Sequence, residues 1–235
     1  MLTVSGLRKQ FGAKVALAGV GFTVQPGEVV GLIGPNGAGK STIVNILSGV
    51  MRSDAGTALF GEHDLLAMSA PAVSRIGVAR TFQMLRLHLT MTALENAMLP
   101  LLVRGHTVAQ ARRPALDALA AVDLHGRADI IASRLSTGQR KRLEFARAIA
   151  SAGSLFLLDE ITQGVDVVTC ERLAELVIGL RAERGCSVVI IDHDMSILRR
   201  VCDRIVALDL GAVIAEGTPD DVLSHSDVVS SYVNA

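Results

Sequence analysis

The chain has 235 residues, with 23 basic and 23 acidic side chains, and half of its residues are hydrophobic. This composition excludes an intrinsically disordered chain, and the length is enough for one large or two small domains with a core of their own. The balanced charge argues against broad nonspecific binding to nucleic acid, so no nucleic-acid partner is expected. The absence of a long apolar stretch or a visible secretory signal predicts a cytoplasmic protein that does not itself cross a membrane.

The first predicted elements are short strands. Residues 1–25 contain Val and Leu segments punctuated by glycines, and a similar segment lies at 57–60. Such segments are typical of a small antiparallel sheet. Between them, Glu28 to Ile33 predicts a buried strand that runs into a glycine-rich loop, and Lys40 to Leu47 has the pattern of a helix.

A helical lobe is predicted next. Ala, Leu and charged residues recur at helical spacing between Thr92 and Leu124, and we expect breaks at Pro100, Gly105 and Pro114. The basic run at 140–142 is interpreted as a solvated helix face rather than a binding patch.

Two further apolar runs complete an α/β pattern. Residues 155–158 end at Asp159, and residues 187–191 end at Asp192. Uninterrupted apolar runs are typical of parallel strands buried on both faces, and ligands of such sheets lie beyond the carboxyl ends of the strands. The sequence therefore predicts one ligand site shared by three strand ends. The three cysteines lack the spacing of a metal or redox motif and are expected to be small buried residues.

The glycine-rich loop predicts a phosphate site. The sequence GPNGAGKS at 34–41 fits the pattern G-x-x-x-x-G-K-[ST] and lies between a strand and a helix, which is the context that this motif requires. Glycines allow backbone amides to converge on phosphate oxygens at the positive end of the following helix. ATP with Mg²⁺ is the predicted ligand, with Lys40 on the β and γ phosphates and the Ser41 hydroxyl on the metal. The predicted nucleotide-binding residues of the loop are Gly34, Pro35, Asn36, Gly37, Ala38, Gly39, Lys40, Ser41 and Thr42.

Acidic residues and a histidine supply the predicted chemistry. Together with the phosphate loop, the pair Asp159 and Glu160 is interpreted as a Walker B motif. In this motif Asp159 supports Mg²⁺ and Glu160 acts as the general base. A solvated strand end is the alternative. His193 follows a neighbouring apolar run, where its imidazole could touch the γ phosphate, or it could be a merely exposed histidine.

Further motifs resemble those of the ATP-binding cassette (ABC) family over almost the whole chain. The segment LSTGQ at 135–139 resembles the family signature, and its Ser136 and Gln139 also match a helix capping box. Gln83 resembles the Q-loop glutamine, residues 163–166 the D-loop, and His193 the switch histidine. Phe11 resembles the aromatic residue that stacks on adenine, although an exposed or core Phe is an alternative.

The resemblance implies a fold, a dimer and a reaction. The implied fold is a P-loop NTPase (RecA-like) core with a small antiparallel β subdomain and a helical subdomain. The implied dimer binds two ATP at its interface, each between the P-loop of one chain and the signature of the other. The implied metal ligands are Ser41, Asp159 and Gln83. The implied catalytic residues are Glu160, His193 and again Gln83. The signature residues implied to act in trans are Ser136, Thr137, Gly138 and Gln139.

We expect a single ABC ATPase domain over residues 1–235. In this division, 1–83 and 151–235 form the nucleotide-binding core with the β subdomain, and 84–150 form the helical subdomain. Two positions depart from the family pattern: Ile161 replaces the usual proline after Glu160, and Thr137 replaces the middle glycine of the signature. The proline change could alter the geometry of the following loop.

The stretch from Thr81 to Pro100 most closely resembles the ATPases of branched-chain amino acid importers. The words that carry this resemblance are ARTFQ at 79–83, RL at 86–87, MT at 91–92 and EN at 95–96. This implies permease membrane subunits, a second identical or related ATPase subunit and an external solute-binding protein as partners, and a place on the inner face of the cell membrane. The apolar stretch 84–89 is predicted to form a groove for a permease helix, or else to pack into the helical lobe. The alternatives are a soluble ABC ATPase acting on ribosomes or DNA and a lipid-transport ABC ATPase.

Overall fold

The computed structural model describes residues 1–81, 87–151 and 153–233, and for Glu183 and Arg184 it describes the backbone alone. In this part of the chain no helix is both long enough and apolar enough to span a bilayer.

The described residues form two sheets. The first is antiparallel, with strands β1 (Leu2–Phe11), β2 (Lys14–Val24), β4 (Ala55–Phe60) and β5 (His63–Asp64) in the order β2-β1-β4-β5. The second contains β3 (Val29–Ile33), β6 (Val78–Arg80), β7 (Leu155–Asp159), β8 (Ser187–Ile191), β9 (Arg204–Asp209) and β10 (Ala212–Gly217), in the order β10-β9-β3-β8-β7-β6. Strands β9 to β6 pair in parallel, and β10 is an antiparallel edge strand. The predicted antiparallel sheet and parallel core are both confirmed.

Nine α-helices accompany these sheets in the described residues. They are α1 (Lys40–Leu47), α2 (Ala70–Arg75), α3 (Ala93–Val103), α4 (Val108–Ala121), α5 (Thr137–Ala150), α6 (Val167–Arg184), α7 (Met195–Val201), α8 (Pro219–Leu223) and α9 (Ser226–Val233). Short 3-10 turns lie at Leu65–Ala67, His125–Arg127 and Ala132–Arg134.

The parallel strands separate two apolar layers, as expected for strands buried on both faces. In β7, Leu155 and Leu157 pack with α1 and the antiparallel sheet, whereas Phe156 and Leu158 pack with the cluster that includes α3, α4 and α5. Every residue of β3, β7 and β8 is buried. This double burial fixes where the carboxyl ends of the three strands lie.

Three sequence expectations need correction. Pro100 and Pro114 do not break the helical lobe, because they lie inside α3 and α4, and only the segment around Gly105 separates these helices. A proline inside a helix removes one backbone hydrogen bond, a cost that the buried apolar face of each helix offsets. The basic run is also not freely solvated: Lys141 and Arg142 donate to the carbonyls of Glu160 and Val122. Cys186 and Cys202 are buried as expected, and Cys170 is half-buried.

Candidate active site

The glycine-rich loop connects β3 to α1, as its sequence predicts. Gly39 precedes the first helical residue with a φ of 106°, and a Cβ there would lie 2.7 Å from the Ala16 carbonyl oxygen. Only glycine tolerates both this backbone conformation and this close approach. The first turn of α1 therefore presents free amides to a space where an anion is stabilised.

Lys40 lies folded against this loop. Its Nζ donates to the carbonyl oxygens of Gly34 at 2.6 Å and Pro35 at 3.0 Å. Burial lowers the pKa of Lys40, and the carboxylates of Glu160 and Asp159 act in the opposite direction. A buried ammonium that is held mainly by neutral carbonyls gains from an anionic ligand, so Lys40 is placed to exchange these carbonyls for phosphate oxygens.

A cavity of about 280 Å³ lies over the loop. It is lined by Phe11, Lys14, Ala16, Asn36, Gly37, Gly39, Lys40, Ser41, Thr42 and Glu160. Phe11 is 47% exposed at the end of β1, and Lys9 Nζ lies 5.5 Å from the centre of its ring. An exposed aromatic face beside a phosphate cradle can stack on a nucleobase.

Asp159 ends β7 in a nearly dry environment. Its side chain is 1% exposed, and Oδ2 lies 3.6 Å from Nη2 of Arg80. Burial raises the pKa of Asp159, the Arg80 guanidinium opposes this rise, and the Glu160 carboxylate adds to it. Oδ1 is buried without a hydrogen-bond partner among the described residues.

This unpartnered oxygen is the observation that tests whether Mg²⁺ fits. Mg²⁺ is bound by one or two carboxylates together with substrate phosphates and water, so a free carboxylate oxygen beside a phosphate loop fits it. The described residues contain no group of three or more His, Cys, Asp or Glu that would form an all-protein metal cage. Asp159 and Ser41 are thus the described side chains that could hold Mg²⁺.

Glu160 and His193 meet at the ends of β7 and β8. Oε1 of Glu160 lies 3.2 Å from Nε2 of His193, and Glu160 is buried whereas the His193 side chain is 45% exposed. Glu160 also has a left-handed backbone with a φ of 51°. The residue before a proline is restricted to extended backbone, so this conformation suits Ile161 better than a proline at that position.

The signature segment starts helix α5. Ser136 is the N-cap, its Oγ accepts from Gln139 N at 3.3 Å, and Gln139 Oε1 accepts from Ser136 N at 3.0 Å, which confirms the predicted capping box. Ser136 and Thr137 are exposed, and Gly138 and Gln139 are half-buried. None of these four residues lines the cavity over the phosphate loop of the same chain.

Two predictions concern residues 82–86. The Q-loop Gln83 and residues 84–86, which are half of the apolar stretch 84–89, lie outside the described residues. Leu87 is described, and it packs partly buried against the core cluster that contains the helical lobe. The position of Leu87 therefore favours packing into the helical lobe over a contact with a permease helix. Leu89, at the end of the same stretch, is 48% exposed.

Arg80, Tyr232 and Thr162 were not predicted as site residues from the sequence, and Asp192 was predicted only as a strand end. Arg80 pairs with Asp159, Tyr232 Oη accepts from Gly34 N at 2.8 Å, and Thr162 hydrogen-bonds to the buried Asp192. Only Asp192 carried a usable signal, since it ends an apolar run next to His193. The others depend on contacts between residues far apart in the sequence.

Comparison with known proteins connects this geometry to a family. The model of the ABC transporter family matches residues 17–163, which is more than half of the chain. LivG of Escherichia coli K12, a high-affinity branched-chain amino acid transport ATP-binding protein, is 33% identical over 99% of this chain and 97% of its own length. The methionine import ATP-binding protein MetN of Caulobacter vibrioides is 35% identical over 99% of this chain and 72% of its own length.

Solved structures agree with these relatives. The ADP conformation of MJ1267, an ATP-binding cassette of an ABC transporter, superposes with a TM-score of 0.89 at 29% identity, and covers 100% of this chain and 99% of its own. The dimeric post-hydrolysis state of MJ0796, bound to ADP and Pi, has a TM-score of 0.86 at 29% identity, and covers 93% of this chain and 99% of its own. With its phosphate loop, acidic pair and signature in one P-loop fold, the chain belongs to the ABC transporter family, as one of its ATP-hydrolysing cassettes.

Proposed function

We propose that this chain is the motor subunit of an importer for branched-chain amino acids or similar small polar solutes. The observation that carries the proposal is the convergence of Lys40, Asp159, Glu160 and His193 at the carboxyl ends of three adjacent strands. The names of LivG and BraF of Pseudomonas aeruginosa PAO1, both branched-chain amino acid transport ATP-binding proteins, support this solute class.

Binding of ATP uses the residues around the cavity. The adenine stacks on Phe11, the amides of 36–42 surround the β and γ phosphates, and Lys40 moves from the Gly34 and Pro35 carbonyls to phosphate oxygens. Ser41, Asp159 and, by resemblance, Gln83 would hold Mg²⁺, which would supply positive charge to neutralise the phosphates.

Hydrolysis then needs a base and a contact to the transferred group. Glu160 accepts a proton from water as the water oxygen bonds to the γ phosphorus and the bond to the β–γ bridging oxygen breaks. His193 contacts the γ phosphate and, through its 3.2 Å contact, orients the Glu160 carboxylate. Both side chains act from fixed strand ends, so little reorganisation is required.

Completion of the site requires a second cassette. The signature residues Ser136 to Gln139 lie at a helix N-terminus and do not line their own chain's cavity. The positive end of α5 is therefore available to the γ phosphate bound by a partner cassette, identical or related. Loss of this phosphate on hydrolysis removes the bridge and opens the dimer.

The organisation of the chain follows from this cycle. We infer a core of residues 1–83 and 151–235, which binds the nucleotide and includes the β subdomain, and a helical part of 84–150, which carries the signature. Transport also requires permease membrane subunits and, for import, an external solute-binding protein. The chain would thus lie peripherally on the inner face of the cell membrane.

Substitution of Glu160 tests the motor reaction. Glu160→Gln keeps the size of the side chain but removes the base, so hydrolysis should fall at least about 100-fold while ATP binding persists. Size-exclusion chromatography with light scattering should then detect an ATP-dependent dimer. A Glu160→Gln protein that hydrolyses ATP at the rate of the unsubstituted protein would refute the base assignment.

Methionine is the second candidate solute, because MetN is also a relative. Uptake of radiolabelled leucine and methionine by cells with and without the gene distinguishes the two. Loss of leucine uptake supports the proposal, whereas selective loss of methionine uptake favours the second candidate. Unchanged uptake of both solutes would contradict import of either one.

A further inference from the structure

A buried carboxylate that the proposed reaction does not use lies beside the site. Asp192, the first residue after β8, is 3% exposed. Its Oδ2 accepts from Thr162 N at 3.1 Å, and its Oδ1 accepts from His193 N at 2.8 Å and Asp194 N at 3.1 Å. Its Oδ1 also accepts from the Thr162 hydroxyl.

These donors belong to two different segments. Thr162 follows Glu160 by two residues at the end of β7, whereas His193 and Asp194 follow β8. The Asp192 carboxylate therefore joins the backbone of the segment that carries the base to the backbone of the segment that carries the histidine. Hydrogen bonds to a buried carboxylate are among the stronger ones in proteins.

The segment after Glu160 needs such an anchor. Glu160 has the left-handed backbone that side chains other than glycine rarely adopt, and such residues persist only where surrounding contacts hold them. Glu160 N donates to the Ile191 carbonyl at 2.8 Å, and Lys141 Nζ donates to the Glu160 carbonyl at 3.0 Å. Two hydrogen bonds from Thr162 to Asp192 anchor the chain two residues after Glu160.

We propose that Asp192 is a positioning residue, which acts through Thr162 to hold the Glu160 carboxylate and the His193 imidazole in the relative placement that hydrolysis requires. This inference rests on the proposed function of Glu160 and His193. A positioning residue of this kind affects turnover and leaves nucleotide affinity nearly unchanged, because neither Asp192 nor Thr162 lines the nucleotide cavity.

The test compares two substitutions of Thr162. Thr162→Val removes the hydroxyl bond to Asp192 and keeps the shape of the side chain, so kcat should fall about tenfold with KM for MgATP within about twofold. Thr162→Ser keeps the hydroxyl and should restore kcat to within about threefold. Thr57→Val makes the same chemical change at an exposed position on β4 and serves as the matched control.

Asp192→Asn provides the second measurement. The Asn side chain has one acceptor oxygen, so it cannot replace both carboxylate oxygens, which accept from Thr162, His193 and Asp194. We therefore expect kcat to fall further than in Thr162→Val. Melting temperatures measured in parallel show whether each variant is folded at the assay temperature. If folded Thr162→Val and Asp192→Asn keep kcat, or raise KM while kcat stays unchanged, the positioning role is overturned.

Glu160→Gln assayed beside them separates the two proposals. Loss of turnover in Glu160→Gln with unchanged kcat in the Thr162 and Asp192 variants overturns only the positioning role. Full turnover in Glu160→Gln overturns the proposed reaction itself.

Discussion

At the residue scale, Lys40 links the fold to its ligand. Lys40 is 7% exposed, and its ammonium donates to the carbonyls of Gly34 and Pro35. These two bonds hold the side chain folded against the phosphate loop, where its ammonium can reach a bound anion.

Substitution of Lys40 by Ala should remove most of the affinity for ATP. The cavity then lacks its buried cation, and the nearby carboxylates of Glu160 and Asp159 repel the phosphates. Fluorescent ATP analogue titration should show affinity reduced by at least about tenfold, which is about 1.4 kcal/mol. Lys14→Ala, in the lining of the same cavity, is the control and should have a smaller effect. Full affinity in Lys40→Ala would contradict the phosphate role.

The position of Asp159 leads to a prediction about stabilisation of the protein by Mg²⁺. Mg²⁺ with ATP should raise the melting temperature of the unsubstituted protein beyond the effect of ATP with EDTA, because binding to the native state stabilises it. In Asp159→Asn this extra increment should disappear while stabilisation by ATP alone remains. An unchanged increment in Asp159→Asn, measured by differential scanning fluorimetry, would argue against Asp159 as the metal ligand.

At the element scale, α4 and α5 begin with the same kind of cap. Thr107 caps α4 with Gln110, and Ser136 caps α5 with Gln139, both as complete capping boxes. The two caps make the same local bonds, yet only the second belongs to the signature. This pair separates the stability of a helix from the function of its N-terminus.

Ser136→Ala and Thr107→Ala should each lower the free energy of unfolding by about 1 kcal/mol. Only Ser136→Ala should also weaken the ATP-dependent dimer, measured in the Glu160→Gln background by analytical ultracentrifugation. Equal weakening of the dimer by both substitutions would show that the effect is one of stability and not of the signature.

Helix α9 also contacts the phosphate loop. Tyr232 Oη accepts from Gly34 N at 2.8 Å, and burial raises the pKa of Tyr232. Gly34 is thereby held at its amide by α9 and at its carbonyl by Lys40. The last described helix thus fixes the position of the first glycine of the loop.

Tyr232→Phe removes this single acceptor and keeps the ring. We expect KM for MgATP to rise about threefold to tenfold, since one hydrogen bond contributes about 0.5–1.5 kcal/mol, with kcat within about twofold. Val229→Ala, on the same helix and 50% exposed, is the control. An unchanged KM in Tyr232→Phe would show that the contact does not position the loop.

At the scale of the whole molecule, a membrane partner needs an exposed surface. Leu89, the last residue of the stretch 84–89 that is predicted to dock, is 48% exposed. A separate cavity of about 180 Å³ lies between the end of α1, α2, β6 and α5, with Arg80 in its lining. Arg80 also pairs with Asp159, so one side chain contacts both this cavity and the Asp159 carboxylate.

Leu89→Glu should therefore reduce recruitment to membranes that contain the permease, because a charge is costly in an apolar contact. ATP hydrolysis by the isolated chain should change by less than about twofold. Co-sedimentation with permease-containing vesicles measures recruitment, and Ile178→Glu, 39% exposed on α6, is the control. Equal recruitment of Leu89→Glu and the unsubstituted protein would place docking elsewhere.

Short stretches of the sequence encode the local chemistry of this protein. The phosphate loop, the strand ends at Asp159 and Asp192 and the capping box at Ser136 are encoded within a few residues each. Backbone conformation and side-chain type at adjacent positions are enough to specify such features. The burial of β3, β7 and β8 likewise follows from their uninterrupted apolar runs.

Tertiary structure decided which of these features meet. The strand order that brings β3, β8 and β7 side by side is not the order of the chain, and hydropathy carries no information about it. The pairing of Arg80 with Asp159, of Tyr232 with Gly34 and of Thr162 with Asp192 depends on that order. Pro100 and Pro114 lie inside α3 and α4 because packing of these helices on each other and on α5 offsets the cost of the prolines, and local sequence does not encode that packing.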